Sequence, residues 1–326
     1  MNSTNPQSPI PNPSTSSGQS PQSLIPTYFA EKMKIIYEED GVGWLSQLPS
    51  LIKMMAQKWQ LTVQRPVDNL SYNYVAHVTQ ANGTPAILKM GYPNRELFTE
   101  MDTLQIYEGN GMVRMLSADR ENAAFLIDRI SPGLELSDLK DDDEATRVVC
   151  RIIKALRRTA PTQHNFPSLA DWAKVFGRYR AEFGSDGPLG LEDVNLAEHY
   201  FEQLNASSND AVLLHGDLHH FNILQSENNE WVAIDPKGVI GDYAFETARF
   251  LHNPYPWALK NPDLKQMINR RVDIVCEMLG FDRQKVLIWG FCDTMFSVAW
   301  SVEDGDVEHL DWMLNFANVI RGMIGE

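Results

Sequence analysis

One stretch, residues 211–238, constrains the fold more than any other, because its polar residues follow short apolar runs in a fixed order. It reads AVLLHGDLHHFNILQSENNEWVAIDPKG. The apolar run 211–214 is long enough for a strand, and the glycine of the following His-Gly-Asp marks a tight loop. Two further apolar runs flank a polar segment with two adjacent asparagines, which predicts a hairpin. We therefore expect a strand, a polar loop and a hairpin that ends at Asp235.

Three oxygen-bearing side chains in this stretch have the order that phosphoryl transfer from a nucleoside triphosphate requires. Asp217 and Asn222 lie five residues apart on the predicted loop, and Asp235 follows the hairpin. Kinase catalytic loops carry an Asp and an Asn at this spacing, with another Asp on a later turn. Asp217 is the predicted base. Asn222 and Asp235 are the predicted ligands of Mg²⁺, which prefers oxygen atoms.

The three histidines of this loop allow a different interpretation. His215 and His219 are four residues apart, which is the spacing of a zinc-binding pair on a helix. However, Gly216 and the preceding apolar run favour a loop, and no third zinc ligand is evident. We interpret His215, His219 and His220 as residues that brace the loop by hydrogen bonds rather than as acid–base catalysts.

The blocks HGDLHHFN and IDPKG, the second with its Asp thirteen residues after Asn222, resemble the aminoglycoside phosphotransferase family of kinase-like enzymes. The DPKG and GD segments are similar to the streptomycin 6-kinase and hydroxyurea-kinase branch, and the resemblance covers roughly residues 60–326. It implies an α+β, two-lobed protein-kinase-like fold with a small antiparallel-sheet N-lobe and a larger, mostly helical C-lobe. It also implies ATP as the donor and a small molecule as the acceptor.

The chain divides into three predicted parts. Residues 1–23 are almost wholly Asn, Ser, Thr, Pro, Gln and Gly with no charge, which is typical of a disordered tail. Residues 24–130 are expected to form the N-lobe. It would begin with helices over 28–39 and 44–60, separated by 40–43. Strands 72–80 and 84–90 would follow around the Asn82-Gly83 turn, then a helix over 94–107 and strands 113–117 and 123–130. Residues 131–326 are the predicted C-lobe.

Lys89 lies inside the apolar strand pattern AILKM, where a solvated lysine is unusual. Kinases use a strand lysine to bind the α- and β-phosphates, and pair it with a glutamate on the next helix. The family resemblance places Glu100 in that role, and Glu96 remains the second choice. We therefore predict that Lys89 binds the nucleotide.

The rest of the nucleotide site is less sharply marked in the sequence. The segment between the first two strands, residues 69–74, contains no glycine, so Ser71 and backbone amides are the candidate phosphate contacts. The resemblance implies that the connector between the lobes binds adenine through its main chain. Asp128, Arg129 and Ile130 are therefore candidates.

Three charged residues beyond the hairpin keep more than one interpretation. Lys237 could neutralise phosphate charge or form a salt bridge with Asp242. Asp242 is favoured as a helix cap that braces the catalytic loop. Glu246 could face either the acceptor or solvent.

The resemblance implies that the acceptor lies beside Asp217, against the last helices of the C-lobe. Glu303 and Asp304 occur there beside Gly305, which breaks the helix pattern. Acidic residues at a helix C-terminus are unfavourable, so a negative cleft for a cationic acceptor could explain them. A solvated acidic loop is the equal alternative, and Asp306 is favoured as the N-cap of the final helix.

Composition excludes several other classes. The net charge of −15 argues against a basic nucleic-acid surface, and no apolar run is long enough to span a bilayer. The N-terminus has no secretory signal pattern, so we expect a cytoplasmic protein. The three cysteines are widely spaced, lie in apolar helical patterns and are expected to be buried free thiols, and nothing implies an obligate protein partner.

The function that these features predict is ATP- and Mg²⁺-dependent O-phosphorylation of a small molecule. The expected acceptor is a cationic aminoglycoside such as streptomycin. The alternative within the fold is a kinase of a small metabolite, such as an amino alcohol, an amino sugar or a hydroxylated amino acid. A protein kinase is disfavoured, because the chain lacks the HRD Arg, the DFG Phe and an APE-like segment. A catalytically silent nucleotide-binding protein is the alternative from another class.

Overall fold

The computed structural model of the chain describes residues 25–207, 211–254, 257–305 and 307–325. The predicted tail, residues 1–23, and the predicted cap Asp306 lie outside these ranges. The described part has an antiparallel N-lobe sheet and a mainly helical C-lobe, which confirms the predicted two-lobed α+β fold.

The chain enters the N-lobe through one long kinked helix, α1 (Thr27–Lys58). Its break lies at Glu38, with φ 48° and ψ −127°, and not over residues 40–43 as predicted. Gly41 instead lies inside the second helical segment. A Cβ atom there would lie 2.4 Å from the carbonyl oxygen of Met33, so the glycine permits close packing across the kink. The buried face of α1 packs against one side of the N-lobe sheet.

Five strands form the N-lobe sheet in the order β1-β2-β3-β5-β4, and each neighbouring pair is antiparallel. Helix α2 (Arg95–Tyr107) is inserted between β3 and β4, and Asn94 caps it by accepting a hydrogen bond from the Leu97 amide. This order confirms the predicted hairpin, helix and following strands. The strands are β1 (Leu61–Pro66), β2 (Asn73–Gln80), β3 (Pro85–Gly91), β4 (Met115–Asp119) and β5 (Ala124–Asp128).

Two small antiparallel ladders support the catalytic stretch in the C-lobe. In the first, β8 (Ile223–Ser226) lies between β6 (Pro132–Glu135) and β9 (Trp231–Ala233), so the predicted hairpin is confirmed. In the second, β7 (Ala211–Leu214) pairs with β10 (Val239–Asp242). The two ladders hold the loop after β7 beside the segment after β9.

Backbone hydrogen bonds also join the two lobes directly. The Val113 amide donates to the Ala233 carbonyl at 2.8 Å, and the Ala233 amide donates to the Gly111 carbonyl at 3.1 Å. Residues just before β4 are therefore bonded to the end of β9. This inter-lobe bridge, formed by residues 111–113 and Ala233, lies two residues from Asp235.

Helices make up most of the C-lobe, and α8 runs through its core. The largest apolar cluster surrounds α8, which buries aromatic residues such as Trp289 and Phe296. Cys150 and Cys292 are buried free thiols as predicted, whereas Cys276 is partly exposed. The helices are α3 (Asp142–Leu156), α4 (Leu169–Phe183), α5 (Leu191–Ser207), α6 (Ala248–Leu251), α7 (Leu264–Leu279), α8 (Arg283–Glu303) and α9 (Leu310–Arg321).

Within the described ranges, none of the helices combines the length and the apolar character needed to cross a bilayer.

Candidate active site

The catalytic loop begins where β7 ends, and a buried carboxylate holds its first turn. Glu246 accepts hydrogen bonds from the amide of His215 at 2.6 Å and from the amide of Gly216 at 3.0 Å. Gly216 has φ 79°, a left-handed conformation that a side chain would strain. Glu246 is 4 % exposed, and burial raises its pKa to about 7. It therefore lies behind the loop, where it cannot face the acceptor as one interpretation of the sequence proposed.

Two of the three loop histidines, His215 and His219, bond to the backbone. The Asp217 amide donates to Nδ1 of His215 at 3.2 Å, which leaves Nε2 to donate to the Ile234 carbonyl at 2.8 Å. Burial lowers the pKa of His215 to about 4, so the ring is neutral at physiological pH. His219 accepts from the Phe221 amide at 3.3 Å. His220 instead stacks on Phe250, and neither of its ring nitrogens has a hydrogen-bond partner among the described residues, so the hydrogen-bonding role predicted for it is wrong.

Asp217 lies in this loop beside Arg249 and His219. Its Oδ1 is 3.4 Å from Nε of Arg249 and 3.7 Å from Nε2 of His219. The side chain is 23 % exposed, so a small molecule can reach it. Burial would raise the pKa of Asp217, but His219, Arg249 and Lys237 outweigh that effect and lower it. The carboxylate is therefore ionised and available to accept a proton.

Asn222 connects Asp217 with the segment that carries Asp235. Its side-chain Nδ2 donates to the backbone carbonyl of Asp217 at 3.0 Å, while its own backbone carbonyl accepts from the Ile234 amide at 2.9 Å. The amide nitrogen is thus used inside the loop, and Oδ1 is the atom that could bind a cation. Asp235 has φ 58° and a side chain that is 46 % exposed, so its carboxylate reaches the cleft.

Lys89 links the N-lobe sheet to this loop. Its Nζ lies 2.7 Å from Oε1 of Glu100 on α2 and 3.2 Å from Oδ1 of Asp235. Lys89 and Glu100 are each 5 % exposed, so the pair is buried. Burial would lower the pKa of Lys89, but the carboxylates of Asp235 and Glu100 raise it above its usual value. The structure therefore brings together the lysine, the first-choice glutamate and the predicted metal carboxylate.

Lys237 has a different partner from the one that the sequence suggested. Its Nζ contacts Oε1 of Glu96 on α2, whereas Asp242 pairs with Lys285 at 2.6 Å. The proposed Lys237–Asp242 salt bridge is therefore wrong, because Asp242 is buried and faces α8. Asp242 does cap the turn that follows β10, as predicted, by accepting from the Ala244 amide at 2.9 Å.

The predicted nucleotide contacts belong to the N-lobe sheet and to the connector that follows it. Ser71 is exposed in the turn before β2. The Asp128 carboxylate is held by Arg114 at 2.9 and 3.2 Å, and its amide donates to the Arg114 carbonyl at 3.0 Å. Ile130, beyond the end of β5, is half-buried. The Asp128 amide is thus already used, so Arg129 and Ile130 remain as the connector candidates for contacts through the backbone amide.

The predicted acceptor residues lie at the end of α8. Both oxygens of Glu303 accept from Arg178 on α4, at 2.8 and 2.9 Å, and the Glu303 side chain is 19 % exposed. Asp304 is the C-cap residue of α8 and is exposed. The structure therefore gives Glu303 a protein partner that sequence reasoning did not foresee.

The fold is shared with solved structures of small-molecule kinases. A choline kinase from Streptococcus pneumoniae has a TM-score of 0.62 at 15% identity, covering 86% of this chain and 100% of that one. An amicoumacin kinase in complex with AMP-PNP has a TM-score of 0.60 at 15% identity, covering 84% and 92%. At these identities the likeness shows the kinase-like fold alone.

Sequence comparison identifies relatives more specifically than the fold does. A streptomycin 6-kinase from Streptomyces griseus is 29% identical over 287 residues, which cover 86% of this chain and 92% of that protein. A hydroxyurea phosphotransferase from Kitasatospora aureofaciens is 30% identical over 294 residues, covering 87% and 82%. The family model described as aminoglycoside/hydroxyurea antibiotic resistance kinase matches residues 58–305.

Fold, loop and relatives together define a nucleotide-using phosphotransferase whose acceptor is an alcohol group of a small molecule. More narrowly, the chain belongs to the aminoglycoside/hydroxyurea antibiotic resistance kinase family.

Proposed function

We propose that the protein uses Mg²⁺ and ATP to phosphorylate a hydroxyl group of a cationic aminoglycoside such as streptomycin. The position of Lys89 carries this proposal. Its Nζ contacts Glu100 in one lobe and Asp235 in the other, so a phosphate-binding cation lies beside the loop that holds Asp217. Relatives named streptomycin 6-kinase support the choice of acceptor, and the match to one of them covers 97% of that protein's length.

Asp217 is the proposed base. Its ionised carboxylate accepts the proton of the acceptor hydroxyl while the hydroxyl oxygen bonds to the γ-phosphorus. The bond from that phosphorus to the β–γ bridging oxygen breaks, and ADP leaves with the electron pair. Such transfers depend mainly on positioning and on stabilising charge, which the braced loop supports.

The donor atoms in this loop fit a magnesium ion. Asn222 offers a neutral oxygen and Asp235 a half-exposed carboxylate, and Mg²⁺ takes few protein ligands together with water and phosphate oxygens. When bound, the ion would neutralise charge on the β- and γ-phosphates. Lys89 would hold the phosphates, steadied by Glu100. Ser71 and the main chain near Ile130 would contact the rest of the nucleotide.

Asp304 is the proposed cation contact of the acceptor site, and Glu303 a secondary one. Arg178 already binds both oxygens of Glu303, so an incoming cation would have to share or displace it. The same observation favours a second candidate function, phosphorylation of a small hydroxylated metabolite. An acidic residue that an arginine neutralises attracts a cationic drug less strongly.

Turnover with an acceptor panel separates these two functions. Streptomycin, hydroxyurea, choline and an uncharged sugar would each be supplied with ATP and Mg²⁺, and both ADP release and the phosphorylated product would be measured. We expect streptomycin to give the highest kcat/KM. A higher value for choline or for the neutral sugar would contradict the aminoglycoside proposal and favour the metabolite kinase.

The Asp217→Asn variant tests the base within the same assay. The substitution keeps the shape of the side chain but removes its ability to take a proton, so kcat should fall by roughly 10²- to 10⁴-fold. Nucleotide affinity, measured by calorimetry, should stay within error, because Asp217 contacts the acceptor. Wild-type turnover in this variant would contradict the role of Asp217 as the base.

A further inference from the structure

Arg249 lies directly against the proposed base, although no motif in the sequence marks it. It is on α6, its side chain is 16 % exposed, and its Nε lies 3.4 Å from Oδ1 of Asp217. This nitrogen is buried and forms no hydrogen bond of good geometry with a described residue. The Nε atom is therefore in ion-pair contact with the Asp217 carboxylate without a hydrogen bond to it.

The other two nitrogens of Arg249 are fixed by α8. Nη1 donates to Oγ of Ser297 at 2.6 Å. Nη2 forms an ion pair with Oδ1 of Asp293 at 3.0 Å, although this oxygen has no hydrogen bond of good geometry among the described residues. Asp293 is fully buried, and its second oxygen is 3.0 Å from Nε2 of His252. Because a guanidinium is planar and rigid, two fixed nitrogens determine where the third one points.

A purely structural arginine in the same lobe shows the contrast. Arg271 is fully buried, and its Nη1 donates to the carbonyls of Phe250, Leu251 and Asn253, while Nε and Nη2 bind Asp142. All of its nitrogens are therefore used in holding the chain together. In Arg249, by contrast, Nε lies beside the carboxylate of Asp217, the proposed base.

We propose that Arg249, clamped by Asp293 and Ser297, is a positioning residue that holds the Asp217 carboxylate toward the acceptor hydroxyl. The inference rests on the proposed role of Asp217. A misplacement of about 1 Å can reduce the rate roughly a hundredfold, so the orientation of this carboxylate has a large effect on kcat. Because Ser297 and Asp293 belong to α8, the position of the Arg249 guanidinium beside Asp217 depends on how α8 is packed.

Arg249→Lys is the first test variant, because Arg249→Ala would remove the arginine that pairs with the fully buried Asp293 and destabilise the fold. A lysine keeps the positive charge but cannot contact Ser297, Asp293 and Asp217 at fixed angles. We expect kcat to fall by roughly tenfold to a hundredfold while KM for ATP stays unchanged. Ser297→Ala, which removes one side of the clamp, should lower kcat less.

A double-mutant cycle with Asp217→Asn distinguishes positioning from a merely structural role. If Arg249 acts through Asp217, Arg249→Lys should cost no further activity in the Asp217→Asn background. Arg180→Lys is the matched control, since Arg180 is a partly buried arginine on α4 that pairs with Glu198. This control should leave kcat equal to that of the parent protein in each background.

Two results would overturn the inference. One is an unchanged kcat in Arg249→Lys. The other is that Arg249→Lys lowers kcat by the same factor in the wild-type and in the Asp217→Asn background. These outcomes are separate from failure of the proposed function. If Asp217→Asn alone keeps wild-type turnover, the base assignment fails, whatever Arg249 does. If Asp217→Asn is inactive and Arg249→Lys is normal, only the role of Arg249 fails.

Discussion

His220 is a buried histidine that stacks on Phe250. The centroids of the two rings are 4.4 Å apart, and the Arg271 guanidinium lies over the Phe250 ring, 4.7 Å from its centroid. Neither ring nitrogen has a hydrogen-bond partner among the described residues. Burial, with a smaller effect of Arg271, lowers the pKa of His220 well below its ordinary value. The folded protein therefore holds this ring neutral.

This neutral ring makes stability depend on pH. The unfolded chain protonates a histidine near pH 6.5, whereas the folded chain does so only at much lower pH. The unfolded state thus binds more protons below about pH 6.5, so the free energy of unfolding decreases as the pH falls. His220→Phe keeps the ring stack and removes the titration.

We expect His220→Phe to lose less stability than the wild type between pH 8 and pH 5. Denaturant unfolding at both pH values measures this difference. His215, whose pKa burial lowers to about 4, adds to the slope in both proteins and does not affect their comparison. Identical pH dependence in the two proteins would contradict a neutral, buried His220.

At the scale of elements, helix α2 determines where the segment that follows Asp235 lies. Oγ1 of Thr99 donates to the Lys237 carbonyl at 2.7 Å, and the Lys237 side chain contacts Glu96. Gly238 packs against the same helix: a Cβ atom there would lie 2.2 Å from Oγ1 of Thr103. That hydroxyl donates to the Thr99 carbonyl at 2.7 Å, so it cannot move without losing a bond.

Gly238→Ala should therefore destabilise the protein and reduce turnover. The alanine meets two penalties: a left-handed φ of 67° and the clash with Thr103. Gly83→Ala is the matched control, because Gly83 has φ 84° but no atom within 4 Å of the added Cβ. The backbone penalty of about 1–2 kcal/mol is common to both. We expect Gly238→Ala to lose about 1–3 kcal/mol more in free energy of unfolding, from overpacking.

Equal losses in the two alanine variants would show that the contact with Thr103 is unimportant. Turnover gives a second comparison, since Gly83→Ala should leave kcat unchanged whereas Gly238→Ala should lower it.

Local patterns predicted most of the elements, and contacts between distant residues explain the failures. The Asn94 and Asp242 caps, the hairpin before Asp235 and the strand of Lys89 depend on neighbours within a few residues. The partner of Lys237 could not be found this way, because Glu96 is 141 residues away. Burial of Glu246 depends on how α6 and the preceding turn pack against β7, which no short pattern specifies.

The candidate site was predictable to the extent that it follows the order of elements. Lys89 and Glu100 meet because a strand and the next helix pack together, and the catalytic loop and hairpin are consecutive. Arg249 was missed because Asp293 and Ser297, which fix its orientation, belong to a helix that is far along the chain. The Arg178–Glu303 pair was missed for the same reason, since α4 and α8 are neighbours only in the folded lobe.

At the scale of the whole molecule, the residues before α1 are expected to be dispensable. The segment 1–23 has no charged residue, and Met1 and Ile10 are its only large apolar residues. So little apolar surface cannot offset the entropy lost on ordering. Deleting residues 1–23 should leave both Tm and kcat unchanged, as measured by thermal unfolding and by the ADP-release assay. A drop of several degrees would show that this segment contributes to the fold.

The inter-lobe bridge has a mechanical consequence. Any rotation of one lobe against the other that preserves its backbone bonds must have an axis through residues 111–113 and Ala233. Points near an axis travel the least, and Asp235 is only two residues from it. The contact between Lys89 of the N-lobe and Asp235 of the C-lobe, at 3.2 Å, therefore lies where a relative movement of the lobes changes distances least.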